Sequence, residues 1–241
     1  MTILGITGGS GSGKTTLLSE LAKRGALVID CDEVYHDLLN KSAELLKELN
    51  SAFPGVVTPP QPPLNEGGDA KAALREGGDT NTTLTEGNDA NAPLFEGGGG
   101  ELDRKALGAI VFADAEKLNT LTAITNKYVD VEVTRLLNDY PRNPTLRGGQ
   151  GGVAAIDAIA LVESGLAKRC DAVITVIAPV EVRVERLMKR EGISRDYALS
   201  RIAAQKPDEW FATNSDYVLD NNGSEYEFTL KCRALLDELL N

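Results

Sequence analysis

The chain has 241 residues, 42% of them hydrophobic, enough for one domain with a buried core and some additions. Its 36 acidic and 25 basic residues give a formal net charge of −11, which suits neither a general nucleic-acid binder nor a protein of anionic membrane surfaces. An anionic substrate therefore needs a local basic site. Cys31, Cys170 and Cys232 are odd in number and far apart, with no C-x-x-C, which argues against a disulfide framework or zinc site and for the reducing cytoplasm. No apolar run reaches the length of a membrane span. The N-terminus runs straight into a glycine loop, so no cleaved signal peptide is expected.

In chain order, 2–7 is an apolar run ending in glycines and predicts a buried strand. A helix follows over 14–24, with Leu17, Leu18, Leu21 and Ala22 on one face and Gly25 as its stop. A second strand is expected at 26–29, ending at Asp30, then helices at 33–39 and 42–51. Residues 58–100 differ in kind: rich in Pro, Gly, Asn and Thr, they repeat with a period of ten (Leu64-Asn65-Glu66-Gly67, Leu74-Arg75-Glu76-Gly77, Leu84-Thr85-Glu86-Gly87, Leu94-Phe95-Glu96-Gly97). One leucine per repeat buries too little surface to offset chain entropy, so a flexible insertion is expected. The recurring Asp69, Asp79 and Asp89 raise calcium binding as an alternative, without the dense oxygen ligands such loops have. Helical periodicity returns at 104–111 and 116–137, and 141–152 reads as a linker. Strands at 153–156, 172–178 and 217–219 alternate with helices at 181–190, 194–204 and 224–240. Apolar strands alternating with helices predict an α/β fold, a parallel sheet covered on both faces.

Gly8-Gly9-Ser10-Gly11-Ser12-Gly13-Lys14-Thr15 fits G-x-x-x-x-G-K-[ST] between the first strand and first helix. Glycines let successive N–H groups form a nest for phosphate, and the helix N-terminus adds positive potential. Lys14 reaches the β- and γ-phosphates, and the Thr15 hydroxyl can hold Mg²⁺. Gly9, Gly11, Ser12, Gly13, Lys14, Thr15 and Thr16 are thus the expected ATP contacts. A plain glycine turn rarely carries Lys-Thr at this offset. Asn126-Lys127-Tyr128-Val129-Asp130 superficially matches a guanine-reading motif, but it is one residue too long and lies in a helical stretch.

Asp30 and Asp32 stand at the end of the second strand, the edge where open α/β sheets bind ligands. A carboxylate there can take a proton from an attacking hydroxyl or hold Mg²⁺ through water; one of the two can instead cap the helix that follows. Asp157 ends the next strand and is a second metal-side acid, or a strand-end turn residue. Arg186 and Arg190, four apart, share one helix face, as do Arg201 and Gln205 on the next helix. Guanidiniums converging on phosphates give bidentate, charge-assisted bonds, and closure of such a lid excludes water. Solvated helix charge is the plainer alternative. His36, the sole histidine, is assigned no catalytic role.

Six stretches resemble the dephospho-coenzyme A kinase family. They are the phosphate loop from Thr7 to Thr15; Val28-Ile29-Asp30-Cys31-Asp32; Leu102-Asp103-Arg104 through Val111-Phe112; Ile156-Asp157 with Glu163-Ser164-Gly165-Leu166; Arg186-Leu187-Met188-Lys189-Arg190 with Arg201-Ile202-Ala203-Ala204-Gln205; and Leu219-Asp220-Asn221-Asn222-Gly223-Ser224. The resemblance implies transfer of the ATP γ-phosphate to the ribose 3′-hydroxyl of dephospho-coenzyme A, with Mg²⁺. It implies a three-layer phosphate-loop fold with core (1–41 and 150–241), helical substrate-binding part (42–140) and lid (183–206). Asp32 would be the base, Asp30 and Arg135 further substrate contacts, and Thr15 and Asp157 the metal side. The protein is expected to be a monomer or weak oligomer, without nucleic-acid or membrane partners. Three features depart from the family pattern: Asn126-Lys127 stands where the family has His-Pro, Asp157-Ala158-Ile159-Ala160-Leu161 lacks the family's proline, and the ten-residue repeats are foreign to the family's core. A nucleoside or nucleotide kinase, or an ATP-binding regulatory protein without transfer activity, are the other readings.

Overall fold

The N-terminal apolar run forms β1 (Thr2–Thr7), and the helix that the Leu17/Leu21 spacing predicts is α1 (Lys14–Lys23). The structure is a computed structural model that describes residues 1–58, 100–140 and 152–240. The ten-residue repeats and nearly all of the 141–152 linker fall outside the described residues, and so does the calcium alternative.

After α1 come β2 (Leu27–Asp30) and α2 (Cys31–Lys41), then α3 (Ala43–Ala52), β3 (Val57–Thr58), β4 (Glu101–Leu102) and α4 (Arg104–Val111). The long α5 (Ala115–Asp139) precedes β5 (Val153–Asp157), a 3-10 turn at Leu166–Arg169, and β6 (Ala172–Ile177). The chain ends with α6 (Val180–Glu191), α7 (Arg195–Ala203), α8 (Asp208–Thr213), β7 (Tyr217–Asp220) and α9 (Glu225–Leu240). Two compact units result: Met1–Leu38 with Thr122–Asn241, and Leu39–Leu121. The sequence placed all of 42–140 in one helical part, whereas α5 joins the first unit from Thr122 on. The reason is packing: Val129, Val133 and Leu137 are buried in the core of the sheet.

The first unit is built on five strands, ordered β2-β5-β1-β6-β7 and parallel throughout. Side chains alternate across it. Leu4, Ile6, Ala155, Ile174 and Val176 face one way, against Leu17 and Leu21 of α1 and Phe228 and Leu236 of α9. Ile29, Ala154, Ile156 and Val173 face the other, against α2 and α5. Each fully buried Leu, Ile, Val or Phe among them contributes about 1.5–3 kcal/mol. The register sets Asp30 opposite Asp157, and Asp157 opposite Ile6, two residues before the glycine loop. Parallel pairing thus brings three chain segments remote in sequence to one edge of the sheet. The hairpin α6–α7 has its own small core of Val184, Leu187 and Ala198, and Gly192 (φ 67) ends α6 in the left-handed conformation.

Helices α1 and α9 are joined by Glu20, 3% exposed, which pairs with Arg233 (2.8 Å) and Lys23 (2.7 Å). Hydrogen bonds from Arg233 and Lys23 pull its carboxyl down to about 2 from an ordinary 4.5. A depressed carboxyl pKa gives stability that is complete above the unfolded value and lost as pH falls through the folded one. Glu20→Gln is therefore expected to cost about 1–3 kcal/mol at pH 7. That deficit against wild type should shrink as both are titrated from pH 4.5 towards 2. Urea titrations across that range check it; a deficit independent of pH would rule out the charge pairing as its source.

In the second unit Leu45, Leu46, Leu49, Phe53, Val56, Leu107 and Val111 are buried. Ser42 caps α3 by accepting the Leu45 N–H, and Asp103 caps α4 by accepting those of Lys105 and Ala106. The antiparallel pair β3–β4 sets Thr58 opposite Glu101, with Thr58 Oγ1 donating to the Glu101 carbonyl at 3.0 Å. Both ends of the repeat-bearing segment are thereby side by side. Deleting 62–98 is expected to leave the melting temperature within a few degrees, because the closure it relieves is already made by β3 and β4. A loss of about 10 °C or more in a thermal scan would contradict this.

Candidate active site

The loop between β1 and α1 lines a cavity of about 390 Å³. The Ser10 carbonyl accepts from Arg183 Nε (2.9 Å), and those of Gly11 and Ser12 from Arg186 Nη1 (3.2 and 3.1 Å). Asn221 Nδ2 also donates to the Ser12 carbonyl, at 2.7 Å. Among the described residues the N–H groups of Gly11, Gly13, Lys14 and Thr15 find no acceptor. With the carbonyls of Ser10, Gly11 and Ser12 already engaged by side chains, the loop's unpaired N–H groups are available to an anion. Gly13 shows why the glycines are needed: its φ is 108, and a Cβ there would lie 2.1 Å from Asn221 Nδ2.

Besides loop residues 9–15, the cavity is lined by the carboxylates Asp30, Asp32 and Asp157 and the guanidiniums Arg186, Arg190 and Arg201. Of the residues that the sequence proposes, Thr16 and Arg135 are not among its lining. The Thr16 N–H bonds the Gly13 carbonyl at 3.1 Å, continuing the helix start. Arg135 stands 56% exposed on α5, engaged by Glu132 (2.6 Å) and Asp139 (2.8 Å), so its charge is answered on its own helix. The motif-like Asn126–Asp130 lies within α5, where Asp130 takes two bonds from Arg169.

Asp30 and Asp32 divide their work. Asp30 Oδ1 accepts the N–H groups of Asp32 (2.8 Å) and Glu33 (3.2 Å) and so caps α2. Asp157 is the more buried acid. Burial pushes its pKa up to about 6, Lys14 opposing and Asp30 and Asp32 adding to the rise. Its Oδ1 is buried and has no hydrogen-bond partner among the described residues. Lys14 Nζ lies 2.9 Å from the Gly8 carbonyl; burial lowers its pKa, and Asp157 and Asp32 work against that. After Asp157, Ala158 N donates to the Ile6 carbonyl and Thr7 Oγ1 to that of Ile159, both at 3.1 Å.

On the hairpin α6–α7, Glu191 bridges two cavity-lining arginines, meeting Arg190 at 2.5 Å with one oxygen and Arg201 with the other. A bound phosphate would compete for the same two guanidiniums. Sequence reasoning missed Arg183, Asn221 and Asp208. Asn221 lay in a stretch that the resemblance had marked. For Arg183 the only signal was its place one helical turn before Arg186.

A parallel sheet of this order, with a phosphate nest between its first strand and helix and a set of converging arginines, is the fold of phosphate-loop kinases. The dephospho-CoA kinase family model matches residues 2–77 and 69–227, and the chain belongs to that family. It is 31% identical over 239 residues to the dephospho-CoA kinase of Corynebacterium glutamicum, covering 99% of this chain and 97% of that one. To the dephospho-CoA kinase of Geobacter sulfurreducens it is 32% identical over 229 residues, covering 94% and 93%. Among solved structures, TT1252 from Thermus thermophilus matches with a TM-score of 0.66 at 28% identity, over 100% of this chain and 98% of that one. The dephospho-CoA kinase of Campylobacter jejuni shares the fold, with a TM-score of 0.56 at 20% identity over 99% and 96%.

Proposed function

We propose that the chain transfers the γ-phosphate of ATP to the ribose 3′-hydroxyl of dephospho-coenzyme A, giving coenzyme A and ADP, the last step of coenzyme A synthesis. The observation that carries this reading is the single cavity in which a phosphate nest, Lys14, the Asp32 carboxylate and three arginines meet, in a chain of this family. The nest N–H groups and Lys14 hold the β- and γ-phosphates. Arg186, Arg190 and Arg201 answer charge that spreads over the moving phosphoryl group. Asp32 accepts the proton of the attacking hydroxyl and orients it. Asp30 supports Asp32 by fixing the first turn of α2.

The residues fit Mg²⁺. The Thr15 hydroxyl and the partnerless Asp157 Oδ1 are hard oxygen donors, and a cation held by so few protein ligands takes the rest from phosphate and water. When bound, the ion offsets charge on the β- and γ-phosphates. It would also compete with the proton that burial favours on Asp157. No helix among the described residues is long and apolar enough to cross a membrane. The free thiols Cys31, Cys170 and Cys232 support a cytoplasmic enzyme.

The test is a coupled ADP-release assay with Mg-ATP, offering dephospho-coenzyme A and a panel of nucleosides and nucleotides. ADP release with dephospho-coenzyme A alone, and 3′-phosphorylated product by mass spectrometry, is the expected result. Release with a different acceptor would keep the kinase and replace its substrate. ATP binding without transfer to any acceptor would leave a nucleotide-binding regulator.

A further inference from the structure

Ser10 is gripped by both ends of the α6–α7 hairpin. At the near end, Arg183 in the first turn of α6 donates through Nε to the Ser10 carbonyl at 2.9 Å. At the far end, Gln205 just beyond α7 accepts the Ser10 N–H with Oε1 at 2.9 Å and donates Nε2 to Ser10 Oγ at 2.7 Å. The two ends also hold each other, since Arg183 Nη2 donates to the same Gln205 Oε1 at 3.1 Å. The remaining arm of the guanidinium, Nη1, meets Asp208 Oδ1 at 3.1 Å. Arg183 is 3% exposed, and its Nη2 lies 2.0 Å from where a Cβ on Gly9 would stand, so it fills the space behind the loop.

A buried guanidinium is costly unless every donor is answered. Here an apolar replacement would leave the Ser10 carbonyl without its donor and Asp208 without its charge partner. The geometry therefore does more than fill space. It fixes the direction of the peptide that opens the nest, and it sets the helix carrying Arg186 and Arg190 against that same peptide. Arg183 also lies close enough for its charge to help lower the pKa of Lys14, adding to the positive field of the nest.

We infer that Arg183 is a positioning residue for phosphate transfer, coupling the hairpin that bears the cavity-lining arginines to the phosphate loop through Ser10 and Gln205. It touches no reacting atom; its effect passes through the loop and through Arg186 and Arg190. The inference deepens the kinase reading and rests on it, but not on the identity of the acceptor.

The experiment compares wild type with Arg183→Met and Arg183→Gln in steady-state kinetics, and measures ADP affinity by calorimetry on each protein without acceptor. Arg183→Met is expected to lower kcat/KM for ATP by about 100-fold, through both a higher KM for ATP and a lower kcat, as for a nest displaced by a fraction of an ångström. The KM for dephospho-coenzyme A should stay within about twofold, since Arg183 acts on the phosphate side. ADP affinity should fall about tenfold or more, and Arg183→Gln, which keeps a donor for Ser10, should recover part of each loss. Wild-type kinetics and ADP affinity with only a lower melting temperature would make Arg183 a purely structural residue and overturn the inference. If Arg183→Met fails to fold by circular dichroism, Gln205→Ala carries the same readouts; unchanged KM for ATP and ADP affinity in that variant would equally overturn it. A wild-type protein that does not phosphorylate dephospho-coenzyme A, while Arg183→Met still loses ADP affinity, would remove the acceptor and leave the coupling standing.

Discussion

Lys14→Ala is expected to lower kcat by about 10³-fold or more, with the fold retained. The ammonium is the one mobile cation that the loop itself places beside the β- and γ-phosphates. Partly buried, it is screened less than an exposed lysine. It already sits against the Gly8 carbonyl in the free protein, so little reorganisation is needed when phosphate arrives. The substitution also acts indirectly. Lys14 is the group that restrains the rise in the Asp157 pKa, so removing it leaves three carboxylates facing each other with less compensation. Single-turnover kinetics at saturating ATP check the prediction, with circular dichroism to confirm folding; a loss below about tenfold would show that Arg186, Arg190 and Arg201 carry the charge without it.

Asp32→Asn should lower kcat by about 10²–10⁴-fold while ATP affinity changes less than about twofold. Asparagine keeps the shape and can still hydrogen-bond the attacking hydroxyl, but it cannot accept its proton. The asymmetry between the two aspartates sharpens the test. Asp30 caps α2, so Asp30→Asn keeps an oxygen acceptor for the Asp32 and Glu33 N–H groups and should be far milder. Calorimetry for ATP beside the ADP-release assay separates binding from chemistry. Normal turnover in Asp32→Asn would end its assignment as base.

Much of this site could be read from the sequence because its parts are local. The phosphate loop is a contiguous octapeptide, and β1, α1, α4 and β5 follow from short apolar or periodic patterns, with the Asp103 cap written beside α4. Asp30 and Asp157 were legible as strand ends, and the register of β2 and β5 explains why ends so far apart in sequence share one cavity; Asp32, expected at the same strand end, lies instead in the first turn of α2. What stayed hidden depends on long-range contact. Arg183 looks like any helical arginine until the fold brings it under Ser10, and Asn221 needs β7 beside β6 to reach the Ser12 carbonyl. Arg135, offered as a substrate contact, is held by local partners in this structure. An arginine at a plausible place in the middle of the chain is drawn to Glu132 and Asp139, one helical turn away on either side. Helix α8 was missed because six residues around Trp210 and Phe211 are too short to show a period, and β3 and β4 because two-residue strands carry no alternation.

The pairing of Thr58 with Glu101 bears on how such a chain changes over generations. Chain inserted at that point leaves and returns at one place, and the entropy of closing a loop grows only with the logarithm of its length, about 0.6 kcal/mol for each doubling. Tandem units are prone to gain and loss by slippage during replication. At this position a copy more or less would be nearly invisible to selection on stability, so the number of ten-residue units is expected to vary freely between close relatives while the loop, Asp32 and the arginines around them do not.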